Sequence, residues 1–289
     1  MQNKNILITG ASGVLAQKLI KELLKEDYNI YALTRKINNE TNTNGINYFL
    51  NNDFFNNKLD NITFDTVINC AFTQQMIAET VSDSITFTKN FFLKISKMQV
   101  KKIINISTQR VYGDYREGCA DENYPINPSN VYALGKYFAE IMCELIFKNT
   151  SIKYTNLRIA SLIGPEYPER IVNKMLATAK KTNIITVQNG KQQFGYVHVN
   201  DMAQAITLFV IRDIEKWEPV YNIGADEKIT LLEIAEKIRE KLEKKKYKIS
   251  VKIKESDKKT LMNSNLFKKT FGWKPKTSTE DFINNLIDE

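Results

Sequence analysis

The sequence holds one histidine and three cysteines in 289 residues, and each shortage removes a class of chemistry. A lone histidine, His198, excludes a multi-histidine metal site. Cys70, Cys119 and Cys143 lie far apart and outside any CxxC spacing. That argues against zinc and for reduced thiols in a cytoplasmic protein. No run of apolar residues is long enough to span a bilayer, so no membrane partner is expected. The opening MQNKNILITG reaches a strand-like run by residue 6 without a small-residue cleavage site, so no secretory signal is expected. An aromatic-interleaved basic motif is also missing, which sets nucleic acid aside.

What is present is a chain with 43% apolar residues, enough for a substantial core, and a net charge of +8. Much of the charge sits in KIREKLEKKKYKISVKIKESDKK (237–259), where acidic residues interleave the lysines. This reads as a solvated helix and edge strand rather than a binding patch, and leaves anionic small molecules as partners for basic residues elsewhere.

Short apolar runs alternate with helical patterns. KNILIT (4–9), YNIYALTR (28–35), FDTVINCAF (64–72), VKKIINIST (100–108) and KYTNLRIAS (153–161) read as strands. The first helix follows residue 13, and further helical patterns cover 84–97 and 132–148. Alternation of this kind predicts an α/β fold with a parallel sheet and right-handed crossovers. After IGPEYPER (163–170) the regularity changes. A helix over 171–181, strands YVHVND (196–201) and VYNIG (220–224), a helix over 230–245 capped by Thr230, and a last helix are expected.

The first strand–helix junction reads ITGASGVLA (8–16). Gly10 suits a tight turn, Gly13 lets the backbone approach a pyrophosphate, and Ala16 allows close helix–strand packing. Ser12, Val14 and Leu15 complete a helix N-terminus whose N–H groups suit phosphate. At the end of the second strand, where an acidic residue would bind the ribose hydroxyl of NAD, the chain carries Arg35 and Lys36. Positive charge there points to the 2′-phosphate of NADP, with NAD as the alternative. Asp53, followed by Phe54, is a candidate for the adenine amino group. Ala71 and Phe72 end a strand at the cofactor edge and are expected to touch it through their backbone.

NVYALGKY (130–137) places Tyr132 four residues before Lys136, on one helix face. With thirteen tyrosines in a lysine-rich chain, that spacing alone carries nothing. Its position gives it meaning, because the preceding strand ends in Ser107 and Thr108 at the carboxyl edge where ligands bind. A nearby ammonium favours phenolate over phenol, and the Thr108 hydroxyl can hold a substrate oxygen while a proton passes.

These segments, with DENYPINPSNVYALGK, YNIGADEKITLLEIA and FGWKPKTS, resemble the extended short-chain dehydrogenase/reductases of the NAD(P)-dependent sugar epimerase/dehydratase family nearly end to end. The resemblance implies a Rossmann-like doubly wound parallel sheet with a smaller C-terminal substrate-binding region. It assigns residues 1–164 to the nucleotide-binding domain, with 196–224 returning to it, and 165–195 and 225–289 to the substrate region. It makes Tyr132 the acid/base, Lys136 its activator and nicotinamide-ribose ligand, and Thr108 the hydroxyl partner. A nucleotide-diphosphate sugar is the implied substrate and a homodimer through paired helices the implied assembly.

The departures bear on the chemistry. Gln109 and Arg110 stand where dehydratases carry an Asp-Glu pair, so sugar dehydration is not expected. Phe194 and Gly195 replace an Arg-Asp pair, and Ser161 replaces a phosphate-contacting Asn, leaving Arg170 as the candidate to supply charge to the substrate. The favoured expectation is NADPH-dependent reduction of a 4-keto(-6-deoxy) nucleotide sugar. A 4-epimerase with tightly held NAD is the alternative, and a non-catalytic NADP sensor is a third. His198, Cys70 and Trp273 read as structural.

Overall fold

Continuous burial along FDTVIN, enclosed at all six positions, is what a strand covered on both faces by helices requires. In the computed structural model this segment is the centre of a parallel sheet. The structure describes residues 4–37, 45–188, 190, 192–225, 229–246, 248–254 and 260–288.

The strands of the main sheet are β1 (Asn5–Thr9), β2 (Asn29–Thr34), β3 (Ile46–Leu50), β4 (Phe64–Asn69), β5 (Val100–Thr108) and β6 (Lys153–Ile159), joined at one edge by β11 (Val220–Ile223). Their order is β11-β6-β5-β4-β1-β2-β3, with the chain reversing direction across the sheet after β3. The pairings from β3 through β6 are all parallel. The crossovers carry α1 (Val14–Leu23), α2 (Asn51–Phe55), α3 (Ala78–Ile95) and α4 (Val131–Phe147). This is the Rossmann-like doubly wound architecture. Helix α3 starts earlier than the expected residue 84. Its first turns bury only Val81, so the apolar period is not visible there.

Side chains fix the register as well as backbone. Thr9 Oγ1 donates to Asn69 (2.7 Å), Asn69 to Asn105 (3.0 Å) and Asn105 to Asn156 (2.8 Å), a buried row crossing β1, β4, β5 and β6 at one level. A slip of any of these strands would strand buried amides without partners. Phe54, Phe64, Phe91, Phe92 and Phe147 fill the apolar layer on this sheet.

By contact the chain divides into two compact units. The first, Met1–Val111, Pro128–Ile159 and Ala203–Tyr221, holds the sheet. The second is Tyr112–Asn127, Ala160–Met202 and Asn222–Glu289. Within the second, β7 (Ser161–Ile163) pairs with β10 (Tyr196–His198), β8 (Ile184–Gln188) with β13 (Ser250–Lys254), and β9 (Gln193–Phe194) with β12 (Ile229–Thr230). Strand β10 thus pairs with β7 in a ladder of its own. The expected strand 153–161 breaks at Ala160 into β6 and β7.

Helices α5 (Ile171–Thr182), α6 (Val199–Ile211), α7 (Leu231–Lys244), α8 (Asn265–Phe271) and α9 (Thr279–Asp288) complete the described residues. The Thr230 cap on α7 is a capping box: Glu233 N donates to Thr230 Oγ1 (3.1 Å) and Thr230 N to Glu233 Oε2 (2.7 Å). The basic segment 237–259 forms part of α7 and strand β13, and its last residues, 255–259, lie outside the described residues. His198 accepts from Asn200 N (3.3 Å) and packs on Phe282, and Trp273 packs on Phe267.

Candidate active site

The turn after β1 is built for close approach. Gly10 has φ +64°, and a Cβ there would lie 2.8 Å from Ala71 Cα and 2.9 Å from Ala71 N. Only glycine fits both the left-handed backbone and the contact. Gly13 N donates to Gly10 O (2.8 Å) and Ala11 N to Leu33 O (3.0 Å), tying the turn to itself and to β2. Gly13 then caps α1 without a side-chain hydrogen bond, with Ser12 exposed and Val14 and Leu15 opening the helix. Backbone N–H groups at such an end, with a cradle that a side chain would fill, fit a dinucleotide phosphate. Ala71 is held in place by its own N–H, which donates to Thr9 Oγ1 (3.1 Å).

Arg35 and Lys36 follow β2 directly and are both exposed. Asp53 stands in the first turn of α2. Its carboxylate accepts from Leu50 N (3.0 Å) and pairs with Lys58 (2.6 Å), which hold it below the usual carboxylate range. It acts as a cap on α2. Phe54 is fully buried against Phe91, so its ring is enclosed by protein and only its backbone could meet a cofactor.

On the other side of β4 the sequence-predicted residues converge. Asn130 caps α4 by accepting from Ala133 N (2.9 Å), which sets Tyr132 in the first turn. Lys136, 6% exposed, donates to Ile106 O (2.7 Å) near the end of β5. Burial pulls its ammonium down to about 8, against the opposing influence of Glu140. The Cys70 thiol is pushed up to about 12 by burial and so stays neutral. Thr108 and Gln109 are both buried at the end of β5, and Thr108 Oγ1 accepts from Arg110 N (3.3 Å). The Phe72 ring meets Tyr132 edge-on at 5.9 Å and lies 4.5 Å from Lys136 Nζ.

One part of this site escaped the sequence reading. Glu140, one turn beyond Lys136, receives hydrogen bonds from Ser107 and Arg158, and its 2.7 Å ion pair with Arg158 is buried. Glu140 lies four residues after Lys136, so a buried polar face on α4 was the signal available.

Ser161 and Arg170 belong to the second unit. Ser161 sits on β7 opposite Tyr196. Arg170 is the N-cap residue of α5, with its guanidinium 5.3 Å from the Tyr167 ring. The Tyr196 hydroxyl is buried without a hydrogen-bond partner among the described residues. Burial holds its pKa well above the ordinary tyrosine value, while Arg170 works in the opposite sense.

A sequence model of the NAD dependent epimerase/dehydratase family matches residues 6–224. The chain belongs to that family. Among its relatives is a trifunctional UDP-glucose 4,6-dehydratase/UDP-4-keto-6-deoxy-D-glucose 3,5-epimerase/UDP-4-keto-L-rhamnose-reductase of Arabidopsis thaliana, 26% identical over 318 residues. That match covers 99% of this chain and 47% of the plant protein, so the chain spans about half its relative's length. A putative UDP-glucose 4-epimerase of Methanocaldococcus jannaschii is 25% identical over 316 residues, covering 98% of this chain and 97% of that protein. UDP-glucuronic acid 4-epimerase from Bacillus cereus, solved with UDP-glucuronic acid and NAD, superimposes with a TM-score of 0.84 at 19% identity over 98% of each chain. At that identity the likeness carries the fold. For this epimerase/dehydratase family chain, no described helix is long and apolar enough to cross a membrane.

Proposed function

We propose that this chain is an NADPH-dependent reductase of a nucleotide-activated 4-keto sugar, acting in the cytoplasm. The observation that carries the reading is Lys136, buried beside the end of β5 and one helical turn from Tyr132. A nicotinamide cofactor, when bound, supplies the hydride. The Gly10–Leu15 turn would hold its diphosphate, and Arg35 and Lys36 its 2′-phosphate. Tyr132 then gives its phenolic proton to the carbonyl oxygen, and the Lys136 ammonium stabilises the phenolate left behind. Thr108 orients that oxygen. Gln109 and Arg110 offer no carboxylate for eliminating water, which speaks against dehydration although several relatives are named dehydratases.

Within the second unit, the unpartnered Tyr196 hydroxyl and Arg170 support a role in binding the substrate diphosphate, with Ser161 nearby on β7. The exposed apolar residues Val131, Leu134, Phe138, Ile141 and Leu145 recur along α4 at spacings of three and four. Such a seam is self-complementary, and a second copy of the chain is its proposed occupant.

One observation favours a second reading, a 4-epimerase with retained NAD: a UDP-glucuronic acid 4-epimerase with this fold was solved in complex with NAD. The deciding experiment extracts the cofactor from purified protein and measures NADPH oxidation with keto sugars. Saturable, keto-sugar-dependent oxidation supports the reductase. Bound NAD with interconversion of UDP-sugars, independent of NADPH, overturns it.

A further inference from the structure

Phe72 was expected to meet the cofactor through its backbone, yet its side chain is aimed at the acid/base pair. Three contacts define the ring's position. It meets Tyr132 edge-on, 5.9 Å between centroids at an interplanar angle of 79°. Its face lies 4.5 Å from Lys136 Nζ. Its tip would come within 3.1 Å of a Cβ on Gly135, so the glycine between the two residues makes room for it. An edge-to-face aromatic pair fixes a ring plane, and an aromatic face attracts a cation most strongly where water is excluded. The strand end that presents Phe72 is the same one whose Ala71 packs against Gly10.

We propose that Phe72 is a positioning residue for the reaction, its ring holding the Lys136 ammonium in place and setting the orientation of the Tyr132 phenol. The proposal rests on the reading of Tyr132 and Lys136 as acid/base and activator. The groups facing Lys136 are Cys70 from the end of β4, Glu140 and Tyr132 from its own helix, and the Ile106 carbonyl from β5, with Arg158 of β6 tied to Glu140. Burial opposes the ammonium, and Glu140 favours it. The negative face of Phe72 adds to the favouring side.

The sign of the test follows. Phe72→Leu keeps the apolar bulk and removes the π face, so the ammonium loses support and Lys136 titrates at lower pH, by roughly one pH unit. Phe72→Tyr keeps the face and restores the original value. The titration is read directly by 13C NMR of labelled lysine, assigned with Lys136→Met, and in parallel from the alkaline limb of the kcat profile with saturating cofactor. On the alkaline side, turnover of Phe72→Leu at saturating cofactor falls up to about tenfold, because the protonated fraction falls in that proportion. An unmoved Lys136 titration in folded Phe72→Leu overturns the proposal whatever the reaction. A shifted titration with an unmoved rate limb overturns its part in the chemistry. Full turnover by Tyr132→Phe would instead sink the acid/base reading itself, and the NMR arm tells the two failures apart.

Discussion

Glu140 and Arg158 form a buried ion pair, 2.7 Å long with both side chains at most 6% exposed, one helical turn from Lys136. The Ser107 hydroxyl donates to the same carboxylate, and Ser107 directly precedes Thr108 on β5. The pair therefore clamps α4 to β5 and β6 at the point where Tyr132, Lys136 and Thr108 must keep their spacing. Removing one partner leaves an uncompensated charge in the interior. Glu140→Ala is expected to cost about 3–5 kcal/mol of stability, and Glu140→Met with Arg158→Met considerably less. Urea denaturation of the single and double variants checks this. Equal losses in both would show that the charges do not depend on each other.

Tyr132→Phe removes the transferable proton and keeps the ring that meets Phe72. Turnover is expected to fall roughly a hundred- to ten-thousand-fold. The Kd for nicotinamide cofactor, measured by fluorescence titration, should stay within about twofold of the parent, because uniform binding is untouched.

The pH dependence follows from Lys136. Its ammonium is the supporting form, and burial brings its titration down to about 8. In kcat/KM for the free enzyme, activity is expected to hold below pH 8 and to decline as pH rises through that value. The same burial sets a stability effect of opposite sense. The unfolded chain holds this proton to higher pH than the folded one, so the lysine's cost to folding is present in full below pH 8. It lessens as pH rises toward the ordinary lysine value. A profile flat through pH 9 would remove Lys136 from the mechanism.

Gly10→Ala puts a methyl group into Ala71 at a backbone conformation that alanine tolerates poorly. Both NAD and NADP binding should be lost together, with a stability penalty of about 1 kcal/mol or more. Arg35→Ala with Lys36→Ala is expected to act selectively. Charge-assisted contacts to a 2′-phosphate contribute about 1.5–3 kcal/mol each, so the Kd for NADP should rise at least tenfold while that for NAD stays. Parallel titrations of the two cofactors measure the difference, and an equal effect on both would remove the assignment of this pair to the 2′-phosphate.

Leu134 is 56% exposed at the centre of the apolar seam on α4. Leu134→Glu places a charge on the proposed self-association face and should convert a dimer to a monomer in light scattering. A parent protein that is monomeric at micromolar concentration would dispose of the seam as an interface.

The alternation of apolar runs and helical patterns already marked a parallel α/β sheet and the local devices along it. Period and run length are local properties, so β5 could be read to the residue and α4 nearly so. The same holds for the glycine turn, the Thr230 capping box and the four-residue step from Tyr132 to Lys136, each of which lies within one short segment. Tertiary structure alone decided what distant segments share. Asn69, Asn105 and Asn156 are 36 and 51 residues apart in sequence, and only strand order makes them one hydrogen-bonded row. Phe72, just beyond β4, meets Tyr132 and Lys136 only in the fold, where Gly135 leaves room on α4 for its ring beside Val81 and Ile85 of α3. Those contacts depend on side-chain packing across the fold, to which a one-dimensional pattern carries no reference.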